Sequence, residues 1–124
     1  MIDHVSIAVS KLAESAEFYK SVLSALGLEL LVSREATVGF GKKYPEFWLN
    51  ERVSHSPDSV SGGFHVCLRA SSIEQVNAFH EKALVCGGKS NGEPGFRKQY
   101  SSSYYAAFIQ DLDGNRIEAV TFVS

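Results

Sequence analysis

Near its start the chain reads His4-Val5-Ser6-Ile7-Ala8-Val9-Ser10, and past its middle His65-Val66-Cys67-Leu68-Arg69-Ala70-Ser71. Each stretch is a histidine, a short run rich in apolar and β-branched residues, and a serine six positions after the histidine. Shifting the chain by 61 residues overlays these stretches and keeps the next part in phase: Leu12 falls on Ile73, Phe18 on Phe79, Tyr19 on His80 and Gly27 on Gly88. Internal repetition decides the fold before any single element does, because each copy is one supersecondary unit.

Within each copy the elements follow from periodicity. Val5, Ile7 and Val9 alternate with His4, Ser6 and Ala8, which is the period of a half-buried strand. Ser10 is the expected cap of a helix with apolar positions at Leu12, Ala16, Tyr19, Leu23 and Leu26, stopped by Gly27. Strands are expected at 28–32, 37–40 and 47–49. In the second copy 64–68 reads as a strand, Ser71 or Ser72 as a helix cap, and Ile73, Val76, Phe79 and Ala83 as the buried helix face, stopped by Gly87-Gly88. Residues 91–95 (Asn-Gly-Glu-Pro-Gly) read as a loop. Strands at 104–110 and 116–123 flank Asp111-Leu112-Asp113-Gly114-Asn115, a strong hairpin turn.

The expected class is therefore α+β: two paired βαβββ modules, 1–53 and 64–124, forming curved mixed sheets around a central cup, with helices outside. Residues 54–63, rich in serine and glycine, read as the linker of one 124-residue domain.

Composition narrows the function classes. The chain is 44% hydrophobic and 21% charged, with a net charge of −2. That leaves no basic footprint for nucleic acid. No apolar run is long enough for a membrane helix. Cys67 and Cys86 form no C-x-x-C pair, which fits a reducing, cytoplasmic setting.

The histidines lie on the strand faces turned away from the helices. Neutral imidazole is a common metal ligand, and two histidines with one carboxylate make an open facial site. The last strand supplies the carboxylate: alternation puts Glu118 with Arg116, Val120 and Phe122, opposite Ile117, Ala119 and Thr121. A carboxylate buried there needs a metal or a cation. Cys67 shares the His65 face but reads as a small structural residue. His55, in the linker, and His80, on the second helix, are not candidates. Arg69, Arg116, Arg97 and Lys98 are possible anion contacts. Among the aromatics near the cup, Trp48 is the expected wall for a flat organic ligand, and Tyr104 or Tyr105 a possible proton donor. Alternation alone does not choose between the two tyrosines.

His4-Val5-Ser6-Ile7-Ala8-Val9, Phe18-Tyr19 and Asp111-Leu112-Asp113-Gly114-Asn115-Arg116-Ile117-Glu118 together resemble the vicinal oxygen chelate superfamily of glyoxalase, bleomycin-resistance and extradiol dioxygenase proteins. The resemblance spans nearly the whole chain. It implies a cup around a divalent metal (iron, manganese, nickel or zinc) held by His4, His65 and Glu118, with Trp48 where glyoxalase I-like members carry a fourth ligand. It implies an enzyme acting on a small substrate with adjacent oxygens, of dioxygenase, lyase or thiol transferase type. The alternative is a metal-free, drug-sequestering protein. It also implies a homodimer, in which either the two units of one chain form the cup together or His4 of one chain meets His65 and Glu118 of the other. Trp48, Tyr104, Tyr105 and Arg116 are the expected substrate contacts.

Overall fold

In the computed structural model, which describes residues 1–53 and 63–124, the chain runs β1 (Val5–Val9), α1 (Leu12–Ser24), β2 (Glu29–Ser33), β3 (Thr37–Gly41), β4 (Pro45–Glu51), then β5 (Val66–Arg69), α2 (Ile73–Val85), β6 (Lys89–Phe96), β7 (Tyr104–Gln110) and β8 (Arg116–Phe122). The two modules form sheets of matching order, β1-β4-β3-β2 and β5-β8-β7-β6. In both, the first strand lies parallel to the last and the remaining pairs are antiparallel. All but one residue of the expected linker, His55 included, fall outside the described residues.

One apolar core runs through both modules. Ile7, Val9, Phe40, Phe47 and Leu49 bury against Phe18, Tyr19, Val22 and Leu23 of α1, and Ile109, Ile117 and Ala119 against Val76, Phe79 and Ala83 of α2. Phe47, next to Trp48 on β4 and so on the opposite face, is core: it is 1% exposed, and its ring lies tilted against Tyr19 with centroids 5.1 Å apart. The opposite sheet faces stay open, as the strand period requires.

Both helices end the same way. Leu28 N–H donates to Leu23 O, and Gly88 N–H to Ala83 O, around glycines at φ 80° (Gly27) and 101° (Gly87). A left-handed residue at this place favours glycine. The left-handed glycine comes three residues after the last helical residue of α1 (Gly27 after Ser24) but two after that of α2 (Gly87 after Val85), so Gly87 rather than Gly88 takes the part of Gly27.

Two expectations need correction. Ser10 does not cap α1. Lys11 holds the cap position and no side chain of its own caps the helix. Carboxylates from elsewhere do this work: Leu12 N–H donates to Glu51 at 3.0 Å, and Ser10 N–H to both oxygens of Asp113 at 3.1 Å. Negative charge at a helix start is favourable, whatever its position in the chain. Ser72, by contrast, caps α2 by accepting from Gln75 N–H. The second correction is at 91–95, which lies inside strand β6. The register between β6 and β7 slips between Ser90 and Gly92 and again between Gly92 and Gly95. Bulges absorb the glycines and proline that made the segment look like a loop.

Candidate functional site

Glu118 is the centre of the second module's open face. It stands on β8, opposite Cys67 of β5 and Phe108 of β7. Its side chain is 4% exposed, and its Oε1 lies 3.2 Å from His65 Nε2. The Tyr104 hydroxyl donates to its Oε2 at 2.5 Å. A buried carboxylate demands such partners. Its charge is felt around it. Burial, then the hydrogen bond to Glu118, raise the Tyr104 phenol above its ordinary range. Burial and then the Glu118 charge push the Cys67 thiol up to about 12, so it is a neutral thiol at pH 7.

His65 and Glu118 line a cavity of about 610 Å³ with Phe64, Tyr100, Phe108 and Arg116 among its walls. Tyr104 lines it as well. Tyr105 does not: it faces the helix side, and its hydroxyl donates to Asn77 of α2 at 2.8 Å. Tyr105 is therefore withdrawn as a substrate contact.

His4 and Trp48 lie on the first module's open face, in a separate depression of about 480 Å³ with Ser6, Arg34, Thr37 and Asn50. His4 is exposed, its Nδ1 2.7 Å from Asp3 Oδ1. The two registers explain the place of Trp48. Trp48 is opposite Ser6, and Glu118 is opposite Cys67, the residue 61 positions after Ser6. Trp48 and Glu118 are equivalent positions of the two modules. The indole lies against Gly39, where a Cβ would stand 2.9 Å from the ring, and the Arg34 guanidinium lies 5.8 Å from the ring centroid.

One chain thus brings together His65 and Glu118 but not His4. Among the described residues no group of three or more His, Cys, Asp or Glu is placed to hold a metal ion. His4 and His65 do border a common groove between the exposed edges of β1 and β5, with Glu46 at its side. The remaining arginines have structural work: Arg69 lies 4.7 Å from the Phe122 ring centroid, and Arg97 donates to the carbonyls of Glu93 and Gly95.

The donor chemistry of the His65–Glu118 pair fits a divalent ion. Ligand atoms roughly 2.1 Å from an ion and at right angles stand roughly 3.0 Å apart, close to the 3.2 Å found. The profile of the glyoxalase/bleomycin resistance protein/dioxygenase superfamily matches residues 1–119. The chain belongs to this superfamily. A glyoxalase/bleomycin resistance protein from Albidiferax ferrireducens is 30% identical, superimposes with a TM-score of 0.83, and matches over 95% of this chain and 96% of its own. A glyoxalase I variant from Zea mays is 24% identical with a TM-score of 0.72, over 99% of this chain and 46% of the maize chain. The fosfomycin resistance protein FosX from Listeria monocytogenes, complexed with Mn(II) and a dihydroxypropylphosphonic acid, shares the fold at 15% identity and a TM-score of 0.73, over 99% of this chain and 90% of its own. No curated protein matches the chain in sequence.

Sequence reading missed Asn91, which lines the Glu118 cavity because a bulge puts it there. No local signal marks it, since its neighbours Gly92, Pro94 and Gly95 look like a loop. No helix among the described residues is long and apolar enough to cross a membrane.

Proposed function

We propose that the protein is a divalent-metal-dependent enzyme acting on a small, oxygen-rich organic substrate, working as a homodimer in the reducing cytoplasm. The observation that carries this is the buried Glu118 carboxylate facing His65 Nε2 at 3.2 Å on the floor of a cavity of about 610 Å³. His65 and Glu118 would supply two ligands and His4 of the partner subunit the third. When bound, the ion would act as a Lewis acid toward a substrate that chelates it through adjacent oxygens.

The chain's own residues do the rest. Tyr104 fixes the Glu118 carboxylate by donating to Oε2, leaving Oε1 to the ligand position. The raised Tyr104 phenol keeps its proton at neutral pH, so it serves as a donor rather than a base. Phe108 and Tyr100 line the cavity and would give the substrate aromatic walls. Trp48 of the partner subunit would close the opposite wall. Iron, manganese, nickel and zinc all suit two imidazoles and a carboxylate; the ordinary choice among them follows metal supply.

A second reading has its own support. Glu118 is already satisfied by His65 and Tyr104, as a metal-free binding cup would require. Metal analysis and calorimetric titration with Mn²⁺, Fe²⁺, Ni²⁺ and Zn²⁺ separate the two. One ion per site, lost in Glu118→Ala, supports the enzyme; no ion under any condition supports the sequestering protein.

A further inference from the structure

Two neighbouring residues at the start of the chain are exposed yet tied to each other. Asp3 Oδ1 lies 2.7 Å from His4 Nδ1, with the Asp3 side chain 75% exposed and that of His4 53%. We propose that Asp3 is a positioning residue of the metal site: it holds the His4 imidazole in the tautomer with its proton on Nδ1, and so leaves the Nε2 lone pair for the cation. The proposal rests on the metal-dependent reading for what Nε2 meets, and on the Asp3–His4 pair itself for the tautomer.

The pair exists because of where β1 begins. Along a strand successive side chains take opposite faces, so neighbours in sequence do not meet. The ladder between β1 and β4 starts at Val5, opposite Phe47. Asp3 and His4 stand just before it and are free of that alternation. Both border the same two hollows, the depression around Trp48 and the groove shared with His65. The carboxylate is therefore on the side of the sheet where His4 would meet a ligand.

The chemistry follows from the donor inventory. A neutral imidazole has one donor and one acceptor nitrogen, and an ionised carboxylate only accepts. With Asp3 at Nδ1, the proton is on that nitrogen and the free electron pair on Nε2. Among the described residues His4 stands apart in this: His65 and His80 meet their partners through Nε2. His65 turns Nε2 toward Glu118, so both histidines would offer the same atom to one ion. An exposed pair of this kind adds little stability. A carboxylate on the far nitrogen of a ligand histidine instead fixes the ring and makes the ligating nitrogen more basic. Tyr104 steadies Glu118 in the second module by its hydrogen bond, and Asp3 steadies His4 in the first.

The test begins on metal-free protein, with ¹⁵N–¹H correlation spectra of the imidazole rings at about pH 8.5, where an ordinary histidine is neutral. His4→Gln assigns the His4 signals. The Nδ1–H tautomer is expected for His4, giving way to Nε2–H in Asp3→Ala and kept in Asp3→Asn, whose side-chain oxygen still accepts. A wild-type His4 in the Nε2–H form, or one unmoved by Asp3→Ala, overturns the proposal and leaves the metal reading standing. Titration calorimetry with Mn²⁺ reads the consequence. Asp3→Ala should weaken binding about 10–100-fold and Asp3→Asn less, with the urea midpoint unchanged in both. Unaltered Mn²⁺ affinity in Asp3→Ala, where the wild type binds the ion, overturns the proposal as well. Should the wild type bind no divalent ion, the metal reading falls, and the spectra alone uphold or overturn the hold of Asp3 on His4.

Discussion

The Tyr19 hydroxyl donates to Asp111 Oδ2 at 2.6 Å, joining the helix of the first module to the β7–β8 turn of the second. Asp111 also accepts from the backbone N–H groups of Asp113 and Asn115 and from the Asn115 side chain. From the same turn, Asn115 donates to Ala8 O and Asp113 accepts from Ser10 N–H. The Asp-Leu-Asp-Gly-Asn turn is therefore a latch between the modules as well as a hairpin.

Breaking the latch should cost stability without touching the cup. Tyr19→Phe leaves a buried carboxylate one donor short and is expected to destabilise by about 1–3 kcal/mol; Asp111→Ala, which orphans several donors at once, by about 3–5 kcal/mol. Urea unfolding of both single variants and the double variant gives the coupling. Additive losses would show that the bond is not a shared one.

Tyr104 should matter to the metal although it does not touch it. Residues that orient a ligand typically change metal affinity by about 10–100-fold. Tyr104→Phe is expected to weaken Mn²⁺ binding within that range and His65→Ala or Glu118→Ala beyond it, measured by titration calorimetry. Unaltered Mn²⁺ affinity in Tyr104→Phe would remove the tyrosine from the site.

Sharing of the site between subunits can be read by mixing. His4→Ala and Glu118→Ala chains, each unable to bind metal, should together recover about a quarter of wild-type Mn²⁺ sites after subunit exchange. Half the dimers are then mixed, and one of their two sites has all its ligands. No recovery would mean that each chain builds its sites alone. Trp48 is the chain's one tryptophan. Its fluorescence should change on ligand binding only where the first module of one chain faces the second of another.

His80 provides a pH dependence with a definite sign. It is buried, with Nε2 2.8 Å from Ser90 Oγ, and burial lowers its pKa from 6.5 against the opposing pull of Glu93. Between the folded and unfolded values the unfolded chain holds more protons, so stability falls as pH drops below 6.5 and levels off beneath the folded value. Urea midpoints from about pH 7.5 to about pH 5 should fall less in His80→Gln than in the wild type. An equal fall in both would place the sensitivity elsewhere.

What the chain settled by itself is the repeat. The alternation of Val5, Ile7 and Val9, the matching run from Val66, the helical spacing and the glycine stops each act over a few residues, and local geometry makes them legible. Glu118 was found the same way, as a carboxylate on the open face of an otherwise apolar strand. Tertiary structure decided whatever depends on neighbours distant in the chain. It seated Tyr104 in the cup and Tyr105 on α2, buried Phe47, capped α1 with Glu51 and Asp113, and paired β6 despite its glycines and proline. It also put His4 beside a groove that His65 shares but, among the described residues, in no three-ligand cluster with His65 and Glu118. Periodicity fixes which face a side chain takes; which partners meet that face is set by how the sheets and chains pack, and no short stretch of sequence holds that information.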